Sequence, residues 1–298
     1  MQTIQTLLSN PQYPYKKVLE KLIAHRLGQD IPRLLTHLDH EIFATDIQWI
    51  QTSYDQYAIH KEPLEYILGY VEFLGYRFAV SRHTLIPRPE TEYMISAVVE
   101  HIQSSNIQHT LIDVGTGCGV LGISSILHAG QYLDQVYLTD YYEQTLQQAQ
   151  ANLKQYQEIA SKDPALSRPV RDHVRTFHCS LLDHPMLKSV VSDQQSAIIV
   201  ANLPYIPEQL FEHNVEDNVK LREPKAAFVG GEDGLDRYRQ MLDQIIAIRN
   251  HQSTNPLIMF LEMMTRQVEI LASEYKNHFQ FKEVATFHMN IRIVKATL

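Results

Sequence analysis

The sequence predicts an α/β protein: a mostly parallel, doubly wound sheet with an antiparallel closing pair, preceded by a small helical domain and a β-hairpin. Three observations carry this expectation. From Thr110 onward short apolar runs alternate with helical patterns, as in sheets whose strands are joined by crossover helices. Before about residue 70, apolar positions recur at helical spacing and glycine is almost absent. Between these regions, VEFLGYRFAVS (71–81) reads as two short extended runs turning at Gly75. The expected domains are therefore 1–70 (helical), 71–84 (hairpin linker) and 85–298 (sheet domain).

In the first domain Val18, Leu19, Leu22, Ile23 and Leu27 form one helical stripe that Gly28 can end, and Ile47, Ile50, Tyr54 and Tyr57 form another. In LIPRPETE (85–92) two prolines fix a rigid turn, and Pro89 or Glu90 opens a helix through Tyr93, Ile95 and Val98. Strands are expected at 110–114, 135–140, 174–180, 197–202 and 257–263, with FKEVATF (281–287) and IRIVKAT (291–297) as the closing antiparallel pair. The polar, proline-containing segment 161–172 is expected to be a loop.

The 298 residues are 44% hydrophobic and 20% charged, enough apolar material for a sizeable core. The formal net charge of -8 argues against a general nucleic-acid binder, which needs clustered cations for phosphates. Two cysteines, Cys118 and Cys179, exclude a disulfide scaffold and a four-cysteine zinc site. The 15 histidines show no metal-ligand spacing, so no metal is expected. The first 22 residues have no basic segment leading into a long apolar run, and no stretch of ~18 apolar residues occurs. A cytoplasmic protein without membrane contact is expected.

The 11 glycines fall largely into two clusters, Gly115, Gly117, Gly119 and Gly122 in one and Gly230, Gly231 and Gly234 in the other. In the first, Asp113-Val-Gly115-Thr116-Gly117-Cys118-Gly119 follows a strand and opens a helix, a place where a ligand can lie on the backbone. Asp140 ends the next strand, where a carboxylate accepts hydrogen bonds from ribose hydroxyls. GCGVLG (117–122) also satisfies a dinucleotide fingerprint, but DxGxGxG after a strand more closely resembles the S-adenosylmethionine loop of Rossmann-like methyltransferases. Cys118 reads as a small packing residue.

The second constellation is Asn202-Leu203-Pro204-Tyr205, at the carboxyl end of the fourth strand. Asn202 offers an acceptor and a donor, Pro204 leaves the Leu203 carbonyl without a competing N–H, and Tyr205 offers a flat ring. Together they suit a planar group bearing an NH2. The string resembles the Asn-Pro-Pro-Tyr type of motif found in methyltransferases of exocyclic base amines or of glutamine amides, with Leu203 in place of the first proline.

The wider chain resembles the HemK/PrmC family of protein-(glutamine N5) methyltransferases. The resemblance rests on Leu64-Glu-Tyr66-Ile67-Leu-Gly69 with Glu72-Phe73, on Leu85-Ile86-Pro87-Arg88-Pro89-Glu90-Thr91-Glu92, and on the glycine loop and the Asn202 motif. It extends through Glu223-Pro224 and Gly231-Glu-Asp233-Gly234-Leu235 to Tyr238-Arg239. It implies a Rossmann-like methyltransferase domain, S-adenosylmethionine as cofactor and a peptide-chain release factor as partner, with nucleic acid met only through a release factor on the ribosome. It further implies cofactor contacts from Asp113, Gly115, Thr116, Gly117, Cys118, Gly119, Asp140, Ser180, Leu181 and Asn202. Catalytic positioning would come from Asn202, Leu203, Pro204 and Tyr205, the last stacking on the acceptor amide, and the helical domain would hold the protein substrate. The sequence departs from the family where Ser180 stands for an acidic residue, Leu181 for an aromatic, Met263-Met264 for Ile-Gly, and in a shortened turn before Arg292. An N6-adenine methyltransferase of DNA or RNA, and a catalytically silent cofactor-binding subunit, are the competing readings.

Overall fold

The computed structural model describes residues 2–105, 107–160, 173–192, 196–249, 256–286 and 291–298. The loop expected at 161–172, Phe287 and the turn before Arg292 lie outside the described residues. The chain divides into two units: Met1–Tyr70 with Glu216–Arg222, and Val71–Val215 with Glu223–Leu298.

In the first unit, β1 (Gln2–Thr3) pairs antiparallel with β2 (Glu41–Ile42), and the rest of 1–70 is built mainly of helices. The helix Lys16–Arg26 ends as its sequence requires. Gly28 takes φ +64, its N–H bonds the His25 carbonyl and the Gln29 N–H bonds the Ala24 carbonyl, the paired pattern of a Schellman stop. Leu19, Leu22 and Ile23 from this helix and Ile50 and Tyr54 from Ala44–Ala58 are buried together, so the two predicted stripes form one core. The segment 216–222 joins this unit through Arg222, which donates to the His60 carbonyl and pairs with Glu62 at 3.4 Å.

In the second unit, β3 (Tyr70–Phe73) and β4 (Tyr76–Ala79) form the hairpin. The hairpin is tied down by buried Asn152, whose Oδ1 accepts from Ala79 N and whose Nδ2 donates to the carbonyls of Ala79 and Cys118. The main sheet contains β5 (His109–Val114), β6 (Leu133–Asp140), β7 (Val174–His178), β8 (Ala197–Ala201), β9 (Leu257–Met264), β10 (Gln280–Thr286) and β11 (Ile291–Thr297), in the order β10-β11-β9-β8-β5-β6-β7. Strands β7, β6, β5, β8 and β9 are mutually parallel, while β11 pairs antiparallel with both β9 and β10. Every residue of β5 and β8 is buried, and β8 accordingly reads as an unbroken apolar run, Ala197 to Ala201. The edge strands β7 and β10 alternate with exposed positions.

Strand order reverses direction between β5 and β8, so the loops after these two strands open the crevice where ligands of doubly wound sheets bind. Two strands end earlier than expected. β8 stops at Ala201, which leaves Asn202 outside the ladder. β7 stops at His178, and Leu181 then adopts φ +54 as the chain turns.

Candidate active site

The glycine loop after β5 is held from below by Asp113. Its Oδ2 accepts from Thr116 Oγ1 at 2.6 Å and from Gly122 N at 2.8 Å. Asp113, expected to contact a cofactor, is wholly buried and not among the residues lining the cavity described below; side chains alternate across a strand, and this one faces inward to shape the loop. Burial pushes its carboxyl up to about 7. Gly119, also expected to contact a cofactor, caps the helix Val120–Ala129 at φ +88, where a Cβ would lie 2.8 Å from Ile123 Cδ1, and is likewise not among the lining residues.

Asp140, at the end of β6, meets this loop. Its Oδ2 accepts from Gly117 N at 3.1 Å and its Oδ1 from Tyr142 N at 2.9 Å. Burial raises its pKa, while the backbone donors of Tyr142, Gly117 and Tyr141 and the nearby His178 pull it back. Gly117 has φ +60, and a Cβ there would meet open space, so the loop's backbone faces a void. Cys118 borders that void but is almost fully buried, and burial pushes its thiol up to about 12. It is a packing residue and no nucleophile.

The void is a cavity of about 360 Å³, within the range of small-ligand sites. Of the residues expected at the site, Gly115, Thr116, Gly117, Cys118, Asp140, Ser180, Leu181, Asn202, Leu203 and Pro204 all line it. The two motifs also touch each other, since a Cβ on Gly115 would lie 2.9 Å from Leu203 Cδ2. Leu203 therefore packs its side chain against the glycine loop, a contact that an apolar residue supplies as well as proline would. A glycine-lined surface beside a buried carboxylate, with room for a nucleoside, fits S-adenosylmethionine.

Tyr205, expected to stack on an acceptor, is not among the residues lining the cavity. Its hydroxyl donates to Glu262 Oε1 at 3.0 Å, which turns the phenol toward β9. The second glycine cluster serves the same loop. A Cβ on Gly230 would lie 2.3 Å from the Pro204 carbonyl oxygen, and one on Gly234 would lie 2.1 Å from that of Tyr205. These glycines admit the acceptor motif's backbone.

Sequence reasoning missed several residues. Glu262 accepts from Thr91 Oγ1 at 2.8 Å as well as from Tyr205. Its burial pushes the carboxyl up, opposed by the donors Thr91, Tyr205 and Asn202, while Glu90 adds like charge. Gln267 donates to the carbonyls of Tyr205 and Asp233 and accepts from Met264 N, stapling three segments. Tyr238 takes the Leu203 N–H on its hydroxyl and donates to the Glu262 carbonyl. Glu223 accepts from Ile86 N at 3.1 Å and Arg88 Nη2 at 2.7 Å, clamping the LIPRPETE segment in place. Asp233 forms a two-bond pair with Arg239, which also binds Glu274, so this acid is structural. Tyr141 and Tyr142 also border the cavity; the aromatic pair directly after Asp140 was the signal that could have found them.

Comparison with known proteins agrees with this geometry. A family model described as lysine methyltransferase matches residues 90–169, the cofactor half of the domain, and ends before Asn202. The release factor glutamine methyltransferase of Bacillus cereus is 34% identical over 232 residues, covering 76% of this chain and 73% of that protein. The protein of the same name from Bacillus anthracis is 32% identical over the same shares. That of Francisella tularensis is 28% identical over 285 residues, covering 95% of this chain and 90% of its own. Among solved structures, the hMettl16 catalytic domain in complex with MAT2A 3'UTR hairpin 6 matches at 12% identity and a TM-score of 0.49, over 85% of this chain and 81% of that one. With identity above 30% across most of both chains, and with the glycine loop and the Asn202 motif on one cavity, the chain belongs to the release factor glutamine methyltransferase family.

Proposed function

We propose that this protein transfers a methyl group from S-adenosylmethionine to the side-chain amide nitrogen (N5) of a glutamine in a peptide-chain release factor, in the cytoplasm. The observation that carries the reading is that a single cavity is walled both by the glycine loop with Asp140 and by Asn202-Leu203-Pro204. When bound, the cofactor supplies an electrophilic sulfonium methyl. Asp140 and the backbone of Gly115 and Gly117 hold its nucleoside, and Ser180 and Leu181 border it.

An amide nitrogen is a weak nucleophile, because its lone pair is conjugated with the carbonyl. The chain's task is therefore orientation, which can supply up to ~7–11 kcal/mol of a barrier. Asn202 Oδ1 and the Leu203 carbonyl accept the two N–H bonds of the glutamine amide and turn its nitrogen toward the methyl. Acceptors aimed at those bonds also stabilise the positive charge that would develop on nitrogen as the carbon–sulfur bond breaks to leave a neutral thioether, and one N–H proton would then pass to water. Glu262, behind the motif, is committed to Thr91 and Tyr205 and does not border the cavity, so it is not assigned as a base. In this reading the N-terminal unit serves to hold the protein substrate.

Incubation with methyl-labelled S-adenosylmethionine, offered a release factor or nucleic acid in parallel, tests the proposal. Label on a release-factor glutamine is expected. Label on adenine would replace the reading with a nucleic-acid methyltransferase, and tight cofactor binding without any transfer would leave a silent subunit.

A further inference from the structure

We propose that Thr91, the threonine of LIPRPETE, is a positioning residue that sets the orientation of the Asn202 amide by linking it to the buried Glu262 carboxylate. This rests on the proposed use of Asn202 to hold the acceptor amide, and it deepens that reading.

The argument is one of donors and acceptors. Thr91 is buried, with its hydroxyl between Glu262 Oε2 at 2.8 Å and Asn202 Nδ2 at 3.2 Å. A hydroxyl has one proton to give. Thr91 Oγ1 donates to Glu262 Oε2, whose other oxygen accepts from Tyr205, so the one Thr91 proton is spent on Glu262 and toward Asn202 the same oxygen can only accept. The asparagine atom that faces Thr91 must then be the NH2 group, as the 3.2 Å contact from Nδ2 has it. With its NH2 end tied to Thr91, the amide has Oδ1 as its other end, on a residue that lines the cavity.

The direction matters because the two ends of an asparagine amide have nearly the same shape and opposite chemistry. With Oδ1 outward, Asn202 accepts an N–H from a substrate amide. With the group rotated by half a turn, it would present N–H to N–H and repel the substrate it has to hold. The carboxylate at the far end of the relay makes only the first arrangement consistent. Glu262 is itself held in place by the Tyr205 hydroxyl, so the relay and the acceptor loop share one anchor. The relay gives LIPRPETE a chemical role: Glu223 clamps Ile86 and Arg88, and the clamped segment delivers Thr91 to Asn202 across 111 positions of sequence.

The test uses the full-length protein with Thr91→Val, which keeps the shape and removes the hydroxyl, Thr91→Ser, which keeps the hydroxyl, and Asn202→Ala as the control. Four quantities are measured on each: melting temperature, S-adenosylmethionine affinity, the single-turnover rate of transfer to a release-factor glutamine, and the exchange rate of the Asn202 side-chain NH2 by NMR in the two Thr91 variants and the parent. Thr91→Val is expected to slow transfer by about 10- to 100-fold, to speed exchange of the Asn202 NH2, and to leave cofactor affinity unchanged. Thr91→Ser is expected to restore both the rate and the slow exchange. Should Thr91→Val fail to fold, Thr91→Ala takes its place with the same expectations. Full transfer by the hydroxyl-free variant, beside an inactive Asn202→Ala, would overturn the inference while leaving the proposed function standing. So would a rate loss matched by an equal loss of cofactor affinity, since Thr91 would then act on the cofactor. Normal transfer by Asn202→Ala would remove the proposed use of Asn202 and the inference together.

Discussion

Asp140 offers the sharpest test of the cofactor half of the site. Its carboxylate has about four lone-pair sites, of which one on each oxygen is taken by a backbone N–H, from Gly117 and from Tyr142. A third backbone donor, from Tyr141, also bears on the group, which leaves about one site for a ribose hydroxyl. Replacing Asp140 by Ala removes that charged acceptor at ~1.5–3 kcal/mol per bond, or about a 10- to 150-fold weaker cofactor. Asp140→Asn is expected to be nearly as damaging. Its single oxygen can serve only one of the two backbone donors, so its NH2 must confront the N–H of either Gly117 or Tyr142. Titration calorimetry with S-adenosylmethionine reads the affinities, and melting temperatures check the fold. The pH dependence supplies a second arm. Because burial raises the Asp140 pKa, the carboxylate is lost at a higher pH than an ordinary aspartate's, and parent affinity should fall on the acid side before an ordinary aspartate would titrate. Asp140→Ala should show no such fall. An unchanged dissociation constant in both variants, or an acid-side loss of affinity that persists in Asp140→Ala, would refute the assignment.

The remaining predictions concern the frame around the site. Gly230→Ala would place a Cβ 2.3 Å from the Pro204 carbonyl oxygen and 2.5 Å from that of Gly234. Such overpacking typically costs ~1–3 kcal/mol; methyl transfer should fall sharply while S-adenosylmethionine affinity is largely kept, and a fully active variant would show that the loop can move aside. Asp113, raised to about 7 in the folded state from an ordinary aspartate value when unfolded, binds its proton more tightly when folded. Its ionisation therefore erodes stability as pH rises through that window, and Asp113→Asn should lose stability less steeply than the parent between pH 5 and 8; parallel denaturation curves would contradict this. His101 runs the other way, since burial, Lys295 and His109 lower it to about 4 and its Nε2 is buried without a partner. Unfolded chains take up the proton first as pH falls below the usual histidine value, so the parent should lose stability toward pH 5 and His101→Leu should lose less. Identical acid-side slopes would exclude the histidine as the cause.

The sequence alone carried the sheet, the placement of its closing pair, the glycine loop, Asp140 and the Asn202 motif. These are local features. Apolar runs buried on both faces look continuous, a helix stop needs Gly28 at positive φ, and a ligand-facing loop needs glycine beside a strand end, so each leaves its mark within a few residues. What the tertiary structure decided is which way each side chain turns and what stands behind it. Asp113 and Tyr205 sit within the right motifs yet turn away from the cavity, because alternation along the backbone and a partner on another strand, Glu262, set their direction. Thr91 and Glu262 are 171 positions apart in the chain, and Gln267 and Tyr205 are 62 apart, yet each pair is joined by a hydrogen bond in the fold. Hydrogen bonding between such groups is a matter of distance and donor count in three dimensions, and no spacing along the chain records it.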